Sequence, residues 1–137
     1  MTPLTVTTTI NAPIALVWDC FTLPEHITGW NFASPDWCCP KAENDLRVGG
    51  NFSWRMEARD GSMGFDFAGT YTQIEPQHVI AYSFGDRKAV VTFAETAQGI
   101  AVTETFDPET QNPIEMQQAG WQAILDNFKK YVEEKHA

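Results

Sequence analysis

Asn112-Pro113-Ile114-Glu115-Met116-Gln117-Gln118-Ala119-Gly120-Trp121-Gln122-Ala123-Ile124-Leu125-Asp126-Asn127-Phe128-Lys129-Lys130-Tyr131-Val132 is the stretch on which the fold turns. It opens with the grammar of a helix start: a capping asparagine, a first-turn proline and Glu115 at the third helical position. Ile114, Trp121, Leu125, Phe128 and Val132 recur along one face, flanked by Ile124 and Tyr131. Asp126, Lys129, Lys130 and Glu133 fall opposite, on a face that reads as solvated. The spacing predicts a helix of about six turns, and its broad apolar stripe needs a surface to cover. Gly120 costs such a helix about 1 kcal/mol; a close approach of the backbone to a sheet would account for it.

The sheet is written in the residues before that helix. Phe52, Trp54, Met56 and Ala58 alternate with Ser53, Arg55, Glu57 and Arg59, the period of a strand buried on one side. Asp60-Gly61 turns the chain, and Phe65, Phe67, Gly69 and Tyr71 continue the pattern. Strands follow over Val79 to Phe84, Lys88 to Ala94 and Ile100 to Phe106, with Gly85-Asp86 and Gly99 at the turns. Tight turns between short strands predict an antiparallel meander. Upstream, β-branched Thr5 to Ile10 predicts an opening strand. A helix started by Pro13, carrying Ile14, Val17, Trp18 and Phe21, comes next, then a short helix from Pro24 to Gly29. Residues 30 to 50 show no regular period and hold Trp30 and Trp37, so they read as a long functional loop.

The bulk composition narrows the classes. A chain of 137 residues fits one domain, here residues 1–137, because either half would lack a sufficient core. With 18 acidic against 9 basic residues the net charge is -9, which repels polyanions and argues against nucleic acid. No apolar run reaches the length of a membrane span, and Met1 to Ile10 lacks the pattern of a secretory signal. Three cysteines, Cys20, Cys38 and Cys39, make no disulfide framework, so a cytoplasmic protein is expected.

Several stretches in their order resemble the domain shared with activators of the heat-shock-protein-90 ATPase, a family of the START-like (SRPBCC) superfamily. They are Ile10-Asn11-Ala12-Pro13 through Trp18, Pro24-Glu25-His26 through Trp30, Arg47-Val48-Gly49-Gly50, Gly69-Thr70-Tyr71 with Ile74-Glu75-Pro76, Thr103-Glu104-Thr105-Phe106, and Gly120-Trp121 with Ile124 through Phe128. The resemblance implies an α+β helix-grip fold: a curved antiparallel sheet of about six or seven strands, two short helices near the N-terminus and a long C-terminal helix closing a cavity. The superfamily hosts carriers, enzymes and chaperone cofactors, and a fold does not choose among them. Eukaryotic chaperone activators carry a further N-terminal domain, whereas this sequence opens on its first strand, which weighs against a chaperone partner.

No nucleophile elbow, phosphate loop or zinc signature is present, and neither a metal nor a cofactor is expected. Cys38-Cys39 lacks a Cys-x-x-Cys partner and reads as two loop thiols, and Cys20 as a small buried side chain. Glu104 falls in register with Ile100, Val102 and Phe106, so its carboxyl points either into the cavity as an acid, base or anchor, or to water beside an arginine; the second reading is preferred. His26 paired with Asp36 would be a general base, against the preferred reading of a surface histidine. The expected cavity wall is Trp30, Trp37, Trp54, Met56, Phe65 and Phe67, with Trp121, Leu125 and Phe128 from the helix. Binding of a small hydrophobic or aromatic molecule by a monomer or homodimer is the leading reading. A cyclase, dehydratase or hydrolase using Glu104, or His26 with Asp36, is the alternative; a chaperone cofactor is the third.

Overall fold

The computed structural model describes residues 2–137. Strand β1, Leu4–Ile10, is followed by helices α1, Ile14–Thr22, and α2, Pro24–Ile27. Then come β2, Trp37–Asn44; β3, Asn51–Ala58; β4, Gly64–Glu75; β5, Val79–Phe84; β6, Arg87–Thr96; β7, Gly99–Phe106; and the long helix α3, Ile114–His136. The strands form one antiparallel, curled sheet of seven in the order β1-β7-β6-β5-β4-β3-β2, so the meander from β2 to β7 is completed by β1 on its far edge. This is the α+β helix-grip architecture that the resemblance implies, containing the antiparallel meander and the long terminal helix that the residue patterns predict.

Burial follows the period of each element. On β3 the buried positions are Phe52, Trp54 and Met56, and on β7 they are Ile100, Val102, Glu104 and Phe106. Helix α3 buries Leu125, Phe128 and Val132 completely or nearly so. Phe128 sits 4.7 Å from the Trp30 ring and 5.3 Å from Phe21, which makes it the plug between α3 and the two short helices.

Four expectations about the fold are overturned. Residues 37–44 are a strand, not part of a long loop. Pro40 and a register shift between Cys38 and Lys41 disguise its period. Proline is tolerated because β2 is an edge strand, where a missing N–H need not break the ladder. Cys38 and Cys39 are therefore strand residues, and Cys39 is buried with its thiol pushed up to about 11, chiefly by that burial.

The start of α3 is also built differently. Asn112 makes no side-chain cap, and the helix begins at Ile114 behind Pro113. Gln117 braces the entry instead: its Oε1 accepts the Glu109 N–H at 2.8 Å, and its Nε2 donates to the carbonyls of Glu109 and Asn112. Finally, a Cβ added at Gly120 would meet nothing within 4 Å, so close approach to the sheet is not what that glycine provides.

The polar face of α3 is not wholly given to solvent either. Gln118, Gln122 and Lys129 donate to the carbonyls of Thr5, Thr7 and Thr9 at 3.0, 3.1 and 2.6 Å. Alternate carbonyls of an edge strand point away from their neighbour and would otherwise offer a template for a foreign strand. The helix thus closes the open edge of β1 while laying its apolar face on the sheet. Glu133 completes the attachment by accepting the Asn11 N–H, and that bond together with Lys129 holds its carboxyl below the ordinary value.

Candidate functional site

A cavity of about 380 Å³ lies between the sheet and the first half of α3. That volume is at the lower end of the roughly 300–1,000 Å³ typical of small-molecule sites. Its wall is aromatic because inward positions of β3, β4 and β5 carry Trp54, Phe65, Phe67 and Tyr82, and α3 contributes Trp121 and Ile124. Trp54 and Phe67 stack at 5.7 Å, with planes 7° apart. Trp121 lies flat on Phe106 at 3.8 Å and meets Phe67 at 75°. The rings are fixed from behind: Asn44 accepts from both the Trp54 indole N–H and the Tyr71 hydroxyl at 3.0 Å, while its amide donates to the Thr22 carbonyl.

Into this apolar wall β7 inserts one carboxyl. Glu104 pairs in register with Val91 on β6 and Val6 on β1, and it stands on the same face as Val102 and Phe106. The residue is only 8% exposed, and its side chain lines the cavity. Burial pushes the carboxyl up to about 8 from its ordinary value of 4.5, since the charged form has lost its water. This corrects the reading preferred from the sequence, in which the carboxyl reached water beside an arginine: the inward-facing register of β7 carries it into the cavity. Tyr82 is raised by its own burial first and by the proximity of Glu104 second. Asn31, 5% exposed, also lines the cavity, and its amide nitrogen has no hydrogen-bond partner among the described residues.

One end of the cavity is polar. Arg87, Glu109, Asn112 and Gln117 line it beneath the start of α3. Arg87 is held there by two contacts, its Nε donating to the Asp107 carbonyl at 3.0 Å and its guanidinium lying 4.6 Å over the Phe84 ring.

Of the residues expected to line a cavity, Trp30, Trp54, Met56, Phe65, Phe67, Glu104 and Trp121 do so. Trp37, Leu125 and Phe128 do not: Trp37 packs at the edge beside Phe65, and the other two are in the solid core. His26 and Asp36 are not brought together. The His26 Nδ1 shares a 2.8 Å hydrogen bond with the Tyr131 hydroxyl, tying α2 to α3, whereas the Asp36 carbonyl accepts the Arg59 N–H. Among the described residues no group of three or more His, Cys, Asp or Glu side chains is placed to hold a metal ion. No helix of the structure is long and apolar enough to cross a membrane. Tyr82 was legible as an inward position, since it alternates with Ile80 and Phe84; nothing in the local sequence marks Asn31 or Gln117.

A curled antiparallel sheet gripped by a long C-terminal helix over a cavity, with two short helices after the first strand, defines a START-like helix-grip domain. The family model described as "Activator of Hsp90 ATPase homolog 1-like protein" matches residues 11–133, and the chain belongs to that family. The solution structure of the AHSA1-like protein from Aeromonas hydrophila is 44% identical, with a TM-score of 0.91 over 97% of this chain and 93% of that one. Chr148 from Cytophaga hutchinsonii is 47% identical with a TM-score of 0.83 over the same shares of each chain. NE0264 from Nitrosomonas europaea, at 20% identity and a TM-score of 0.84 over 98% of this chain and 96% of that one, shares the fold. No curated protein matches the chain.

Proposed function

We propose that the protein binds a small, mainly apolar or aromatic molecule in the cavity between its sheet and α3. The observation that carries this reading is the 380 Å³ space walled by Trp54, Phe67 and Trp121. Interiors are normally packed to crystal-like density, so a void of this size among large side chains is the exception that a guest would fill. The stacked pairs hold the wall rigid, which lowers the ordering cost of binding.

A second reading has one observation behind it. A carboxyl held near 8 is suited to proton transfer at neutral pH, so Glu104 would serve as the acid or base of a cyclase- or dehydratase-type reaction. Its proton partner would come from the substrate, because His26 stands elsewhere. The chaperone role carried in the family's description gains support from no feature of this site.

The test is thermal stability against a panel of lipids, polyphenols, polyketides and aromatic acids. A genuine guest stabilises the folded state by about 2.7 kcal/mol at a hundredfold excess over its dissociation constant. An unchanged midpoint across the whole panel contradicts binding.

A further inference from the structure

We propose that the guest carries a cationic amine on its apolar body and that Glu104 is the residue that receives it; this deepens the binding reading above and rests on it. Glu104 stands among the ring-bearing walls, and Arg87 and Glu109 also line the cavity. Glu104 is the ionisable group set among the aromatic side chains, reached from β7 beside the Phe106–Trp121 stack. Its carboxyl lines the cavity, and no described residue donates a hydrogen bond to it or accepts one from it. Apolar walls keep such a carboxyl neutral, and it ionises there at neutral pH only where something supplies the complementary charge.

The other charged and titratable groups facing this region are few. β5 supplies Tyr82, β6 supplies Arg87, and the segment before α3 supplies Glu109; α3 itself contributes Gln117 and Trp121, and β1 contributes Val6, without charge. Arg87 is engaged by the Asp107 carbonyl and the Phe84 ring, and Glu109 lines the cavity with it, so this pair carries one charge of each sign. Tyr82, on the wall beside Glu104, feels the acid more strongly than it feels Arg87. Ring faces of Trp54, Phe67 and Trp121 attract cations through their quadrupoles, and they add to the carboxylate rather than compete with it. A net charge of -9 draws a cation toward the molecule and disfavours an anionic guest.

The proton balance follows from the raised titration of Glu104. Below about pH 8 the free protein holds a proton on this carboxyl. An ammonium guest enters as the cation, Glu104 becomes carboxylate, and its proton leaves to bulk water. Affinity for the amine therefore climbs as pH rises toward 8 and levels off beyond it, while a neutral guest of the same shape shows no such slope.

The experiment is calorimetric titration of the full chain with 2-naphthylmethylamine and, in parallel, 2-naphthylmethanol, between pH 6 and 8.5, for the wild type and Glu104→Gln. The amine is expected to gain about tenfold in affinity per pH unit up to pH 8 and to exceed the alcohol by about tenfold at pH 8. In Glu104→Gln the amine loses roughly 30-fold or more, whereas the alcohol still binds within about threefold of wild type, which also shows the variant folded. An amine that binds no better than the alcohol at pH 8, or with a flat pH profile, overturns the amine assignment and leaves the binding reading standing. Failure of both probes to bind at any pH overturns the binding reading and the amine with it.

Discussion

Glu104→Gln is expected to raise the stability of the unliganded protein at pH 8 by on the order of 4 kcal/mol, equivalent to roughly 10 °C in midpoint for a chain of this length. The folded carboxyl titrates near 8, above its ordinary value of 4.5. Below about pH 4.5 both folded and unfolded chains hold the proton, and Glu104 makes no pH-dependent difference. Between these values the unfolded chain has released it and the folded chain has not, so the folded state binds more protons and stability falls as pH rises. Above 8 the folded carboxyl is ionised too and the slope ends. Glutamine keeps the shape and a hydrogen-bonding end but has no proton to lose. Subtracting the variant's thermal unfolding profile from that of the wild type isolates this one group from the general repulsion of a -9 chain. A difference that stays flat between pH 5 and 8 would mean that the carboxyl reaches water.

Phe128→Ala is expected to cost about 3–5 kcal/mol, read as a lower urea midpoint with an unchanged slope. Phe128 has no exposed surface and is enclosed by the Trp30 and Phe21 rings. Truncation leaves a hole between α3 and α1–α2, elements that cannot collapse far because Trp30 is held by its indole bond to the Cys20 carbonyl. A loss below about 1 kcal/mol would place Phe128 on the cavity wall, as its sequence position suggests, rather than in the core.

That contrast shows what the sequence carries and what it does not. The inward face of each strand is a period-two pattern, readable residue by residue, so Trp54 and Phe67 were legible; the same register put Glu104 on the apolar face, but a polar side chain there reads more readily as reaching water. The apolar face of α3 is equally legible, but a helical stripe does not say where along its length the packing is solid and where a void begins. Trp121 and Ile124 meet the cavity, whereas Leu125 is buried in the core and Phe128 packs on Phe21 and Trp30. Strand β2 was hidden because its period is broken by Pro40 and by the irregularity between Cys38 and Lys41. The bonds from Gln118, Gln122 and Lys129 to β1 escaped for another reason. They join residues more than a hundred positions apart, and a polar side chain on a polar face gives no local sign of its partner.

If the space between the sheet and α3 takes a guest, the protein's own tryptophans report on it. We would follow the five indole N–H resonances by NMR while adding 2-naphthylmethylamine at pH 8. Trp30, Trp54 and Trp121 line the cavity and are expected to shift in step with occupancy; Trp18, packed against Phe93, and Trp37, at the edge beside Phe65, are expected to hold their positions. Shifts confined to Trp18 and Trp37, or none at saturating ligand, would contradict a guest in the cavity.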